Sequence, residues 1–151
     1  EEVADSMKKI AATMLEQQPV FIADIDRDSE AYDRVFACFK MPKSTDEEKA
    51  ARSAAIQEAT KHAAWVPMQV ARNAYALMPL IAEVARKGNR NAVTDARSAV
   101  WGALLNVRIN LGSLKDKELA AQLQAEADEL EQKAGDCERE LLDEMMKELR
   151  V

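Results

Sequence analysis

The stretch FIADIDRDSEAYDRVFACF, residues 21–39, has the apolar spacing of a helix and contains the acid that guides the functional interpretation. Its apolar stripe repeats in steps of 4, 7, 3 and 4 residues, through Phe21, Ile25, Tyr32, Val35 and Phe39. Asp28 occupies the one gap in that stripe and, at 100° per residue, lies about 60° from Ile25. We therefore predict that Asp28 faces the core, whereas the other acids fall on the margins of the stripe or outside it: Asp24, Asp26, Glu30 and Asp33.

The composition predicts a helical protein. The chain has 151 residues, of which 48% are hydrophobic, 5% aromatic and 32% charged, with four glycines and four prolines. We expect one domain over residues 1–151. The net charge of −6 argues against a nucleic-acid partner. Because there is no long apolar run and no basic, apolar leader, we expect a cytoplasmic protein without a membrane partner.

Punctuation residues divide the chain into helices. The first helix either continues through Pro19 or restarts after it, and Pro67 is interpreted as a kink or a restart in a later helix. Pro42 ends the helix that contains Asp28, and Ser44 or Thr45 then caps the next helix, with Glu47 or Glu48 three residues later. Gly88 ends that second helix, and Thr94 or Asp95 caps the third. A charged helix runs from about Lys115 to the end, so the predicted fold is all-α, a compact multihelical bundle.

The segment VWGALLNVRINL, residues 100–111, is apolar nearly all round, which predicts a buried central helix. Asn106 and Asn110 lie four apart on one of its faces. They either tie this helix to neighbouring backbone or form a polar wall that hydrogen-bonds a ligand. In the connection before it, Asn89, Asn91 and Asp95 either form the helix stop and cap or contribute to a site.

Charged and sulfur-containing residues limit the chemistry. A core-facing Asp28 is either paired with a buried base or available for proton transfer. The basic residues around Pro42, among them Lys43, form a solvated surface or attract an anionic substrate tail. His62 is the single histidine, and Cys38 and Cys137 are far apart, so we expect neither a metal site nor a histidine-based catalytic triad.

Three stretches in order resemble one known family: DRDSEAYDRVFACFKMPKSTDEEKAAR, then VPMQVAR with KGNRNAVTD, then GALLNVRIN. The chain is similar to the cyclodeaminase/cyclohydrolase family, that is, the cyclodeaminase part of formiminotransferase-cyclodeaminase and the bacterial methenyltetrahydrofolate cyclohydrolases. The resemblance is clear from about Phe21 to Leu114. It implies an all-α homodimer that acts on the one-carbon unit bridging two nitrogens of tetrahydrofolate, with no cofactor beyond that substrate.

The resemblance also implies residue roles. The second acid of the family's DxD pair, here Asp28, is the proton acceptor. Substrate-binding roles follow for Tyr32, which stacks on the ligand, holds the carboxylate or simply packs in the core, and for Asn89, Asn91, Asp95, Asn106, Asn110 and Lys43. No formiminotransferase domain is recognisable in the sequence.

The sequence departs from the family in two places. The family's glycine-rich opening segment is absent, and the family carries roughly two more helical turns between TDA and VWGALLNV. Either these turns are deleted or the sequence joins segments that are not contiguous. The second alternative predicts a break between Asp95 and Ala99.

Three functional hypotheses follow. The leading one is a formimidoyltetrahydrofolate cyclodeaminase, an ammonia lyase that forms 5,10-methenyltetrahydrofolate. The alternative enzyme is a methenyltetrahydrofolate cyclohydrolase with the same site. A hypothesis of another class is a non-catalytic helical interaction protein, suggested by the charged C-terminal helix. Asp28 in an apolar stripe argues against it, since a scaffold would place a leucine there.

Overall fold

Four long helices pack into an all-α bundle in a computed structural model of the protein, which describes residues 2–149. Helix α1 spans Glu2–Phe39, α2 Asp46–Lys87, α3 Ala92–Leu111 and α4 Lys117–Leu149. Helix α2 lies at the centre, packed against the other three, and α4 packs against α2 and α3. No helix in the described part of the chain is both long enough and apolar enough to cross a membrane.

Helix α1 continues through Pro19, but its buried face differs from the predicted one. The most buried residues are Ile10, Asp24 and Ala31, whereas Ile25 and Tyr32 of the predicted stripe are each 66% exposed. At 100° per residue, the buried face is turned by about 60° from the predicted stripe. The expectation that Asp24 lies on the margin is therefore wrong.

Helix α2 begins with the predicted capping box. The Thr45 hydroxyl accepts a hydrogen bond from the Glu48 backbone N–H, and the Glu48 carboxylate accepts one from the Thr45 N–H. The helix then runs unbroken through Pro67 and Pro79 and ends at Lys87, next to Gly88. The alternative of a restart at Pro67 is thus excluded.

Helix α3 begins at Ala92 with Asn91 as its N-cap, so the prediction that Thr94 or Asp95 caps it is wrong. It is continuous through residues 96–98, and the predicted break between Asp95 and Ala99 is also wrong. Its buried face follows helical spacing through Val93, Ala96, Val100, Leu104, Val107 and Leu111.

The prediction of a central helix buried on every side is not met within one chain. Trp101, Leu105 and Ile109 form a second apolar row on α3, and Ile109 is 75% exposed. The core lies instead between α2, α3 and α4, where α4 contributes Leu123, Ala127, Ala134, Leu141 and Met145.

Candidate functional site

A cavity of about 470 Å³ lies between α1, α2 and α3. That volume falls within the usual range for small-molecule sites. Most of its wall is apolar or small, and the lining residues are Phe21, Asp24, Ile25, Asp28, Ser29, Pro67, Val70, Ser98, Ala99, Gly102, Ala103 and Asn106. On the α3 side the cavity wall consists largely of residues with small side chains or none: Ser98, Ala99, Gly102 and Ala103.

Asp28 is half-buried in this cavity and is held by an amide rather than by a base. Asn106 Nδ2 lies 3.2 Å from Asp28 Oδ1 and 3.3 Å from Oδ2, so the amide donates to the carboxylate. An amide donor fixes the orientation of the carboxylate without neutralising its charge. The arrangement leaves Asp28 able to accept or return a proton inside the cavity.

A proline in α2 explains how Asn106 is supported. Pro67 has no N–H, so the carbonyl of Ala63 one turn earlier has no intrahelical donor at that position. Asn110 Nδ2 donates to that carbonyl at 3.1 Å and lies 3.4 Å from Asn106 Oδ1. A chain of contacts therefore runs from the Pro67 site through Asn110 and Asn106 to Asp28.

The two asparagines of α3 differ in what they contact. Asn110 ties α3 to the backbone of α2, as the first interpretation of the pair proposed, whereas Asn106 lines the cavity and contacts Asp28. Hydrogen bonding of either amide to a ligand stays a prediction. The four-residue spacing that placed both on one face is what lets one support the other.

Asp24 is a cavity residue that the sequence analysis missed. It lies one helical turn before Asp28, is 4% exposed and also lines the cavity. Arg27 Nη2 stands against Asp24 Oδ1, although neither carboxylate oxygen accepts a hydrogen bond from any described residue. The available signal is the series Asp24, Asp28, Ala31 and Val35, which has helical spacing but contains fewer large apolar residues than the predicted stripe.

The remaining predicted site residues lie outside the cavity lining. Tyr32 is exposed and stacks on Phe36, with ring centroids 6.3 Å apart. The connection between α2 and α3 carries the exposed residues Asn89 and Asn91, and Asp95 is exposed in the first turn of α3.

Lys43 is also exposed, in the turn between α1 and α2. From Asp28 to the end of α1 at Phe39, eleven residues of helix span about 16 Å. Lys43 therefore lies well beyond the cavity in the direction of the α1 C-terminus.

The described part of the chain, residues 2–149, contains no group of three or more His, Cys, Asp or Glu side chains arranged to hold a metal ion. Neither cysteine forms a disulfide there, and burial raises the pKa of the Cys137 thiol. What the cavity offers chemically is a pair of carboxylates and an amide in an apolar, water-accessible recess.

Comparison with known proteins identifies relatives of this chain. A family model described as formiminotransferase-cyclodeaminase matches residues 1–129. A methenyltetrahydrofolate cyclohydrolase of Methylorubrum extorquens is 42% identical over 115 residues, which are 72% of this chain and 55% of that protein. A formimidoyltransferase-cyclodeaminase of Sus scrofa is 34% identical over 117 residues, which are 73% of this chain and 22% of that protein.

A solved structure agrees with these sequence relatives. The crystal structure of formiminotetrahydrofolate cyclodeaminase from Thermotoga maritima superposes with a TM-score of 0.71 and 27% identity, covering 97% of this chain and 74% of that one. The chain spans about half the length of the Methylorubrum relative and less than a quarter of the Sus scrofa relative.

Proposed function

Because the chain belongs to the formiminotransferase-cyclodeaminase family, we propose that its cavity binds a tetrahydrofolate derivative and that Asp28 moves protons at the one-carbon bridge. The observation that carries this proposal is the pairing of Asp28 with the Asn106 amide inside a cavity large enough for a bicyclic ring. Identity with two kinds of folate-processing relatives supports the substrate class.

The first candidate reaction is that of a methenyltetrahydrofolate cyclohydrolase. Water adds to the methenyl carbon while Asp28 takes a proton from it. The bond from that carbon to the nitrogen at position 5 then breaks as protonated Asp28 returns its proton to the nitrogen. The added hydroxyl group loses its remaining proton to solvent, which leaves the carbonyl of 10-formyltetrahydrofolate. Sequence identity is 42% with a relative of that name and 34% with the cyclodeaminase relative from Sus scrofa. We therefore place the cyclohydrolase reaction first, whereas the sequence analysis placed the cyclodeaminase first.

The second candidate is the cyclodeaminase reaction, supported by the family model and by the solved structure. The nitrogen at position 10 attacks the formimino carbon and loses its proton to Asp28. Protonated Asp28 then delivers a proton to the departing amino group, which leaves as ammonia. One carboxylate serves as base and then as acid, and neither reaction needs a metal or a redox cofactor.

Asn106 and Asn110 have supporting roles in this proposal. The Asn106 amide orients the carboxylate toward the ligand, and Asn110 orients Asn106. General acid–base catalysis depends on such orientation, because the base must lie within hydrogen-bond reach of the proton it takes.

The deciding experiment offers the purified protein 5-formiminotetrahydrofolate in one assay and 5,10-methenyltetrahydrofolate in another. Absorbance of the methenyl compound rises in the first assay for a cyclodeaminase and falls faster than its spontaneous hydrolysis in the second for a cyclohydrolase. A folded protein that changes neither rate would refute the enzymatic proposal and favour the helical interaction protein.

We also propose that two chains associate as a homodimer. Helix α3 exposes Trp101, Leu105 and Ile109, and α1 exposes five large apolar residues: Ile22, Ile25, Tyr32, Phe36 and Phe39. Apolar rows of this kind mark contact surfaces. Sedimentation should give a dimer at micromolar concentration, and Ile109→Glu should shift it toward monomer. A monomeric wild-type protein would contradict the proposal.

A further inference from the structure

Asp24 is a buried acid that the proposed proton transfer does not use. Its side chain is 4% exposed, and neither of its carboxylate oxygens accepts a hydrogen bond from the described residues 2–149. The cation beside it is Arg27, whose own side chain is half exposed and is not part of the cavity wall. A buried carboxylate without hydrogen-bond donors is costly.

The described residues that line the cavity supply no hydrogen-bond donor to Asp24. Asp28 receives the Asn106 amide, whereas no described residue donates a hydrogen bond to Asp24, and the cavity lining includes the apolar residues Phe21, Ile25, Pro67 and Val70. Polar groups in such apolar sites usually orient a ligand. A ligand that supplied N–H donors would satisfy the carboxylate.

We infer that Asp24 is a specificity-determining residue that accepts two parallel hydrogen bonds from adjacent N–H donors on the edge of a planar ring. This inference rests on the proposed function, because the pterin ring of tetrahydrofolate carries such an edge: its 2-amino group and the neighbouring ring N–H. A carboxylate matches two parallel N–H donors in a bidentate arrangement, which adds geometric selectivity to the charge-assisted bonds.

The spacing of the two acids fits this assignment. Residues four apart on a helix have Cβ atoms about 5–6 Å apart. That is on the scale of the bicyclic ring, whose N–H edge and one-carbon bridge lie on different sides. Asp24 then holds the ring edge while Asp28, one turn along α1, faces the bridge.

Arg27 Nη2 stands against Asp24 Oδ1 in the free protein. Because the arginine side chain is half exposed, its guanidinium recovers hydration when it moves aside, and the N–H donors of a ligand then take its place at the carboxylate. If Asp24 served only as a structural partner of Arg27, its replacement would change stability and leave ligand selectivity untouched.

The test measures affinity for two ligands by calorimetry: 5-formyltetrahydrofolate and an analogue in which a methyl group replaces the 2-amino group. We expect wild-type protein to prefer the amino ligand. Asp24→Asn should bind it about 10- to 100-fold more weakly and lose most of the preference, because charge-assisted hydrogen bonds are lost. In turnover assays the loss should fall mainly on KM. Asp33→Asn, an exposed acid on the same helix, is the matched control and should behave as wild type.

The outcomes separate the two proposals. Wild-type protein that binds neither ligand overturns the folate site itself. Wild-type protein that binds both ligands equally well overturns the role of Asp24 while the folate site stands, and this result does not depend on the folding of any variant. Asp24→Asn with wild-type affinity and selectivity overturns it as well.

Discussion

The two sides of α3 are built differently. Toward α2 and α4 it packs into a continuous apolar core, and Arg108 adds ion pairs to Asp128 and Glu131 of α4, at 2.8 and 2.5 Å. Toward α1 it borders a cavity, across which Asp28 and Asn106 form a hydrogen-bonded pair. The first side holds the bundle together, and the second leaves room for a ligand.

This difference predicts that stability and activity respond to different residues. Substitutions on the α4 side of α3 remove apolar burial, which dominates folding free energy. Substitutions on the α1 side remove groups that face an open recess and contribute little packing. The predictions below test this division.

Asp28→Asn should have the largest effect. In the proposed mechanism Asp28 accepts the proton, so this substitution should lower turnover by about 10²- to 10⁴-fold, because asparagine keeps the shape but cannot take a proton. The free energy of unfolding should change by less than about 1 kcal/mol, since the side chain is only half-buried. Saturating turnover and urea unfolding should be measured together. Near-normal turnover in the folded variant would remove Asp28 from the mechanism.

Leu104→Ala should destabilise the protein by about 2–5 kcal/mol, because Leu104 is fully buried in the core and its truncation leaves a cavity. The matched control is Leu105→Ala, which alters the adjacent, 45% exposed residue and should cost less than about 1 kcal/mol in the monomer. Urea unfolding over a range of protein concentrations measures both. A concentration-dependent loss in Leu105→Ala would place that residue in the dimer interface. Equal losses in the two variants at low concentration would contradict the asymmetry of α3.

The hydrogen bond from Asn110 to the Ala63 carbonyl joins α3 to α2, and its removal should have an intermediate effect on stability. Asn110→Ala leaves that carbonyl without its donor and should cost about 1–3 kcal/mol. Adding Pro67→Ala supplies a backbone N–H that can restore the helical hydrogen bond. The double variant should therefore lose about 1 kcal/mol less than the sum of the two single variants. Strict additivity in urea unfolding would show that the Asn110 amide does not compensate for Pro67.

Local sequence signals predicted the helices well. The Thr45–Glu48 capping box is confirmed because both partners are three residues apart and need no other element. The all-α bundle is confirmed because helical spacing recurs along the whole chain. Pro19 and Pro67 were ambiguous, since the cost of an internal proline depends on whether a neighbour satisfies the freed carbonyl, and Asn110 is 47 residues from Ala63.

The orientation of each helix was harder to predict. Apolar residues cover a wide arc of α1, and only the part that contacts α2 is buried, so the sequence favoured Ile25 and Tyr32 over Asp24 and Ala31. On α3 the apolar residues extend all round, so the sequence did not show which of them pack in the core and which, such as Leu105 and Ile109, are exposed in the single chain. Asp24 was missed for this reason: its burial is set by the rotation of α1 on α2, not by the local pattern.

The smallest predicted effect concerns the ion pair between Arg72 and Glu126, which joins α2 to α4. Arg72 Nε lies 2.5 Å from Glu126 Oε1 and Nη2 lies 2.7 Å from Oε2, and the hydrogen bonds from Arg72 hold the pKa of the Glu126 carboxyl below its ordinary value of 4.5. A lowered pKa in the folded state means that the pair stabilises the protein above the unfolded pKa and loses this contribution as the pH falls through the folded one. Because both side chains are partly exposed, Glu126→Gln should cost only about 0.5–1 kcal/mol at pH 7. It leaves the stacking of Arg72 on Trp65 in place, so the difference from wild type should shrink toward zero as the pH is lowered from about 5 to 3. Urea unfolding across that range, with the exposed Glu30→Gln on α1 as the control, measures the difference. A stability difference between Glu126→Gln and wild type that stays constant down to pH 3 would mean that Glu126 stabilises the protein through something other than its charge.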